Sequence, residues 1–452
     1  MKPTLRLCTI AIVTTLGSSF GFAQVSPQNE IIGAARQAYS QGHYKDAERL
    51  YLTAIYETNK SAGDTSNVAA LLNNLGVVYA AEDRWVDAMS AFRQALALRE
   101  GTSAASDLEL AMYLDNLGRA YRSQSKYADA ERLLQRALAI REQIVEPDNS
   151  AIATSLESLA SLYSDEAKYA EAQTYCQRAL AIREKQLKAN DLDLATTLSL
   201  LAMIYRHQGQ YANCTRLYQR ALSIREKALG QEHPQVGLTL AHLAGVYATE
   251  GKFKQAKTVL QRALTIFNNS FGPESSELAF ALNEMGVLYF NQRRYADAEQ
   301  LLQHALSMAE KTLGPKHLYV AQTLGNLGAV YYNQGKYVQS QPLFERSLAI
   351  VETALKPDNP RFAESLNHLA SVYEQLGSYA AAEPLCERSL AILEKPSAPD
   401  YPSLIQALHN YAFLLSKTGR KAEAEPIATR AMVYEAKYKQ MIHEGRVDSR
   451  LP

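Results

Sequence analysis

Leu75-Gly76-Val77-Val78-Tyr79 decides the fold, because the chain writes it again 42 residues later as Leu117-Gly118-Arg119-Ala120-Tyr121 and keeps returning to it. The leading apolar residue falls at Leu75, Leu117, Leu159, Leu201, Leu243, Met285, Leu327 and Leu369. A tyrosine follows each at Tyr79, Tyr121, Tyr163, Tyr205, Tyr247, Tyr289, Tyr331 and Tyr373. A unit this short cannot bury its apolar face alone, so its copies must stack into a solenoid. Such an array grows along one axis, and length does not force division into domains. No internal boundary is expected between Asn29 and Val433.

One copy shows how a repeat is built. Between Ala153 and Asn190, Leu156, Leu159, Ala160 and Tyr163 form one apolar helical stripe. Ala167-Lys168-Tyr169 turns the chain, and Ala172, Cys176, Ala179, Leu180 and Ile182 form the stripe of a second helix. Neighbouring copies place Gly209, Gly251, Gly335 and Gly377 at that turn, where a helix end calls for a left-handed residue. Pro147, Pro273, Pro315, Pro357 and Pro399 share one phase and mark the loops between repeats, since proline cannot continue a helix.

This pattern resembles the tetratricopeptide repeat: Gly or Ala after the first-helix Leu, an aromatic three residues further, and Ala at Ala88, Ala130, Ala172, Ala256, Ala298 and Ala382 and again at Ala95, Ala137, Ala179, Ala221, Ala263 and Ala305. The usual repeat has about 34 residues, and the extra length here lies after the second helix. Ala221-Leu222-Ser223-Ile224-Arg225-Glu226 followed by Leu229-Gly230-Gln231-Glu232-His233-Pro234 is similar to the longer variety of kinesin light chains. The resemblance implies an all-α, right-handed α-solenoid superhelix of about ten helix-turn-helix repeats over residues 29–433, with a polar tail or cap at 434–452. It also implies binding of partner peptides in a concave groove lined by the first helices.

The first 23 residues differ in composition. Lys2 and Arg6, the apolar run Leu7 to Leu16 and the small residues at Gly21 and Ala23 read as a signal peptide with Gln24 as the mature terminus. Export to a periplasmic or secreted location is therefore expected, which departs from a cytosolic motor adaptor. Lys plus Arg and Asp plus Glu both number 47, so no global field draws the chain to nucleic acid. No run approaches the roughly 20 apolar residues of a membrane span. Cys176, Cys214 and Cys386 take positions where other copies carry Ala, Leu, Phe or Tyr, which reads as packing.

HExxH, GxSxG, CxxC and GxGxxG are all absent, and the nine histidines are scattered, so neither catalysis, a metal nor a cofactor is expected. The recurring Arg141-Glu142 and Arg183-Glu184 read as solvated charge at helix ends. Informative positions are those on the first helices that packing does not need. One residue before the marker the chain reads Asn74, Asn116, Ser158, Leu200, His242, Glu284, Asn326, His368 and Asn410. Asparagine can both donate and accept, so this ladder suits the backbone of an extended peptide, or else hydrogen bonds within the array. Around it, Arg119, Arg122, Arg206 and His207 favour acidic groups in the first half. Phe290, Tyr332 and Phe413, with Asn283, Asn291 and Asn333, favour apolar anchors in the second. The expected function is an exported scaffold for protein or peptide partners. Alternatives are a cleft for an enzyme or carbohydrate, in which Glu157 and Asp165 would act, and a cytosolic adaptor.

Overall fold

The computed structural model describes residues 27–60, 65–82, 84–101, 108–144, 146, 149–186, 191–354, 359–394 and 401–443. The segment 1–23 read as a signal peptide, the tail beyond 443 and Pro147, Pro357 and Pro399 lie outside them. Among the described residues there are twenty helices and no strand. The first set is α1 (Pro27–Ser40), α2 (Tyr44–Lys60), α3 (Thr65–Ala81), α4 (Trp85–Glu100), α5 (Leu108–Ser123), α6 (Tyr127–Ile144), α7 (Ser150–Asp165) and α8 (Tyr169–Gln186). Then come α9 (Leu192–His207), α10 (Tyr211–Leu229), α11 (Pro234–Thr249), α12 (Phe253–Phe271), α13 (Ser276–Asn291) and α14 (Tyr295–Leu313). The last are α15 (Leu318–Asn333), α16 (Tyr337–Ala354), α17 (Pro360–Gln375), α18 (Tyr379–Leu393), α19 (Tyr401–Lys417) and α20 (Lys421–His443). Two compact units result. One holds α1–α6 with residues 150–163 and 174–186, the other residues 164–173 with α9–α20.

The repeat signature explains itself in contacts. Ala88, Ala130, Ala256 and Ala298 are wholly buried where the second helix meets the first. A Cβ on Gly76 would lie 2.6 Å from the Phe92 ring, and one on Gly286 2.7 Å from Leu302, so glycine after the marker lets a bulky second-helix side chain approach. The marker tyrosine ties one repeat to the last. Tyr163 donates to Glu131 at 2.6 Å, Tyr373 donates to Glu345 at 2.8 Å, and Tyr247 and Tyr331 each accept from Gln219 and Gln303 at 2.9 Å. Each partner lies on the second helix of the preceding repeat.

The predicted turns hold: Gly209, Gly251, Gly335 and Gly377 have φ between 71 and 74°, and Ser125, Ala167 and Arg293 adopt the same conformation at equivalent places. Pro273 and Pro315 sit between helices as expected. Cys176, Cys214 and Cys386 are buried and form no disulfide, and burial pushes the Cys214 and Cys386 thiols up to about 12. The last helix runs on past Val433 to His443, and Tyr434 and Tyr438 pack their rings on Tyr401.

One expectation is overturned. Arg141 and Arg183 are 4% and 2% exposed, not solvated. Arg141 donates to Asp115 at 2.6 Å and to Ser155, and Arg183 donates to Glu157 at 3.2 Å and to Thr154 at 3.0 Å. Polar acceptors on the first helices of the same and the next repeat satisfy a buried guanidinium.

Candidate functional site

Contacts between alternate helices fall between first helices: α3 with α5 in one unit, and α11 with α13, α13 with α15, α15 with α17 and α17 with α19 in the other. First helices therefore converge and form the inner side of each unit. On α15 the stripe that turns away from packing runs through Gln322, Asn326, Ala329 and Asn333, at steps of three and four residues, and all four keep exposure.

The proposed site residues divide on this frame. Asn116, Asn283 and Asn410 are 6%, 0% and 6% exposed, which corrects the expectation that they stand clear of packing. Each makes a bond within the array. Asn116 donates to Asn73 and Asn326 donates to Asn283, both at 2.9 Å, while Asn410 donates to Ser371 at 2.9 Å. Asn74, Arg119 and Arg122 are half-buried and His368 is exposed against the Phe344 ring. His207 stacks on Tyr169, while Phe290 meets Tyr295 at a tilt and Tyr332 meets Tyr337 edge-on, each with the residue opening a second helix. Asn291 and Asn333 are exposed. Glu157, a carboxylate an enzyme reading would use, is held by Arg183.

Three of these residues come together with three that sequence reasoning left out of the site. Arg206, half-buried near the end of α9, and Glu284, 8% exposed on α13, flank Gly245 on α11. A Cβ on Gly245 would lie 3.0 Å from Glu284 Oε2 and 3.6 Å from each terminal nitrogen of Arg206. No hydrogen bond or ion pair joins the two charges among the described residues. Asn283 Nδ2 donates to Glu284 Oε1 at 3.4 Å, and Asn326 donates to Asn283 in turn, so a polar seam crosses from α15 to α9. His242 lies between Tyr218 at 5.7 Å and Phe280 at 5.4 Å.

Burial and opposed charge set the protonation states. Burial raises the Glu284 carboxyl above its ordinary range while Arg206 and the Asn283 amide pull it back. For Arg206, burial acts to lower and Glu284 to raise, and the raising effect prevails. His242 is pushed down to about 3 by burial and then by Arg206 and Arg225, so its imidazole is neutral near pH 7. The seam thus offers one fixed cation and one carboxylate on either side of a residue without a side chain. Gly245 was legible in hindsight: the other copies read Val77, Arg119, Ser161, Met203, Val287, Ala329 and Ser371 at its register.

Among the described residues no group of His, Cys, Asp and Glu could hold a metal ion, and no helix is long and apolar enough to cross a membrane. An all-α array of stacked helix pairs defines a scaffold suited to protein interaction. The family described as Tetratricopeptide repeat matches residues 107–185, 193–269, 277–353 and 361–432, and a second description of the same repeat matches 68–103. These spans cover more than half of the sequence, and the chain belongs to the tetratricopeptide repeat family, which is generally non-catalytic.

No curated protein matches the chain. Among solved structures it is similar to a Podosopora anserina kinesin light chain with nearly identical TPR-like repeats, at 22% identity and a TM-score of 0.40, over 46% of this chain and 98% of that one. BtubC (BKLC) from P. vanneervenii is similar at 25% identity and 0.38, over 52% and 90%. A Rap protein complexed with competence and sporulation factor shares 16% identity at 0.53, over 79% and 99%. That last likeness concerns the fold.

Proposed function

We propose that the chain is an exported scaffold that binds a segment of a partner protein along the inner side of α9–α15, with no chemistry of its own. The observation that carries this reading is Arg206: a half-buried guanidinium on the inner side that has no hydrogen-bond partner among the described residues. The buried Arg141 and Arg183 by contrast find their acceptors within the array. Glu284 balances the charge of Arg206 but accepts no hydrogen bond from it, and a bound segment supplies the missing acceptor. Export rests on the N-terminal succession of charge, apolar run and small residues.

A photo-crosslinking residue at the inner-side position Gln322 tests the site, with the exposed second-helix position Gln255 on α12 as its counterpart. Partner captured at 322 and not at 255 supports the reading; the reverse pattern rejects it. Mass spectrometry of the native protein should find a terminus at Gln24.

A further inference from the structure

We infer that the seam between Arg206 and Glu284 receives a carboxamide of the bound segment, an Asn or Gln side chain or a backbone peptide unit, set over Gly245. This rests on the inner-side reading above and names the chemistry it selects. Three observations converge on it. The two charges face one point in space, 3.0 and 3.6 Å from where a Gly245 Cβ would be, yet do not close on each other. Glu284 is held by Asn283 through Oε1, which leaves Oε2 as the atom nearest that point. Gly245 alone in its register lacks a side chain.

A ligand group lying over Gly245 between the two must accept from a guanidinium and donate to a carboxylate at once. Carboxylate groups would satisfy Arg206 and be repelled by Glu284; an ammonium would meet the opposite conflict. A carboxamide carries its C=O and N–H a few ångströms apart on one rigid plane and matches both without net charge. Hydrogen bonds to charged partners out of bulk water are the strong kind, so the discrimination should be large.

The test uses the full mature chain and peptides selected on it from a displayed random 12-residue library. Each selected peptide is first checked for crosslinking to position 322. A peptide that crosslinks is then resynthesised with each Asn or Gln changed to the isosteric acid, and with single backbone amides replaced by esters. One such replacement should weaken binding to the wild type about tenfold or more. The same replacement should make little difference to Gly245→Ala, whose methyl takes up space between the two charges, or to Glu284→Gln. Both variants should bind the parent peptide about tenfold more weakly while keeping the wild-type melting temperature within a few degrees. Peptides that crosslink at 322 but bind Gly245→Ala and Glu284→Gln unchanged would overturn the carboxamide inference and leave the inner-side reading intact. Tighter binding of the acid analogue would overturn it in favour of an anion clamp. If no selected peptide crosslinks at 322, the inner-side reading fails and this inference falls with it.

Discussion

Repeats that end the second helix in arginine and repeats that end it in an apolar residue fill one register in opposite ways. Arg141, Arg183 and Arg225 are 4%, 2% and 8% exposed, and at the next steps of 42 residues Phe267, Ala309, Val351 and Leu393 are as deeply buried. Arg141 reaches Asp115, 26 residues before it, and Ser155, 14 after it; Arg225 reaches Ser199 and Thr239 at the same offsets, at 2.9 and 2.6 Å. Around Phe267 those offsets hold Ala241 and Ala281. At Phe267 all three positions are apolar, whereas around Ala309 the same offsets keep Asn283 and Thr323, so the arginine can be lost without its polar surroundings. Stacking requires that the space be filled and that a buried charge find acceptors or donors, though Asp115 Oδ1 and Arg225 Nε stay without a hydrogen bond, and either chemistry meets that requirement.

The largest expected effect comes from breaking one member of the ionic version. Asp115→Ala strands Arg141 in the stack and should cost about 3–5 kcal/mol in urea unfolding. A loss under about 1 kcal/mol would mean that Ser155 alone suffices and that the two kinds of repeat differ less than their residues suggest.

Glu374 sharpens the contrast from the apolar side, where a buried carboxyl has no arginine. Burial pushes it up to about 7. Because its pKa is raised on folding, its contribution to stability is present below the ordinary carboxylate range and is lost as pH rises through about 7. Glu374→Gln should thus unfold close to the wild type at pH 5 and be more stable by roughly 3 kcal/mol at pH 8. Equal gaps at the two pH values would show that the ionised carboxylate is tolerated there.

A smaller effect is expected when the ionic version is rewritten whole. Asp115→Ala with Arg141→Phe and Ser155→Ala reproduces the surroundings of Phe267 and should return stability to within about 1.5 kcal/mol of the wild type. If it stays as unstable as Asp115→Ala, the repeats are not interchangeable. Smallest is a change at a turn, where no such division exists. Arg293 holds φ at 58° as Ser125 and Ala167 do. Arg293→Gly should gain about 1 kcal/mol or less in thermal unfolding, since relief of the left-handed conformation is offset by a freer unfolded chain.

Much of the fold was legible because it is periodic. The marker stripe, the small residues of the second helix and the glycine turns depend on local geometry that each copy repeats, and Cys176 and Cys386 could be placed in the core by register alone. The candidate site was only half legible. Residue type and register point to Arg206, Asn283 and Asn326, but they do not show that Asn283 turns into the stack, nor that Glu284 and Gly245 belong to the site. The Arg-Glu pairs at helix ends misled for a related reason: a charge beside another charge in sequence looks solvated, yet Arg141 finds its partners on other helices.

What the sequence by itself determined was the helix pair, its apolar stripes, its turns and the order of stacking, all set by spacing along one chain. What only the tertiary structure decided was the direction of each polar side chain relative to the neighbouring repeats. Asn283 and Glu284 are adjacent in sequence but stand about 100° apart around the helix. One is turned into the stack against Asn326, and the other reaches the inner side across Gly245 from Arg206. No periodicity distinguishes them, because the partner that satisfies a polar group here lies one or two repeats away, and its distance is fixed by how the repeats pack and not by how they are spelled.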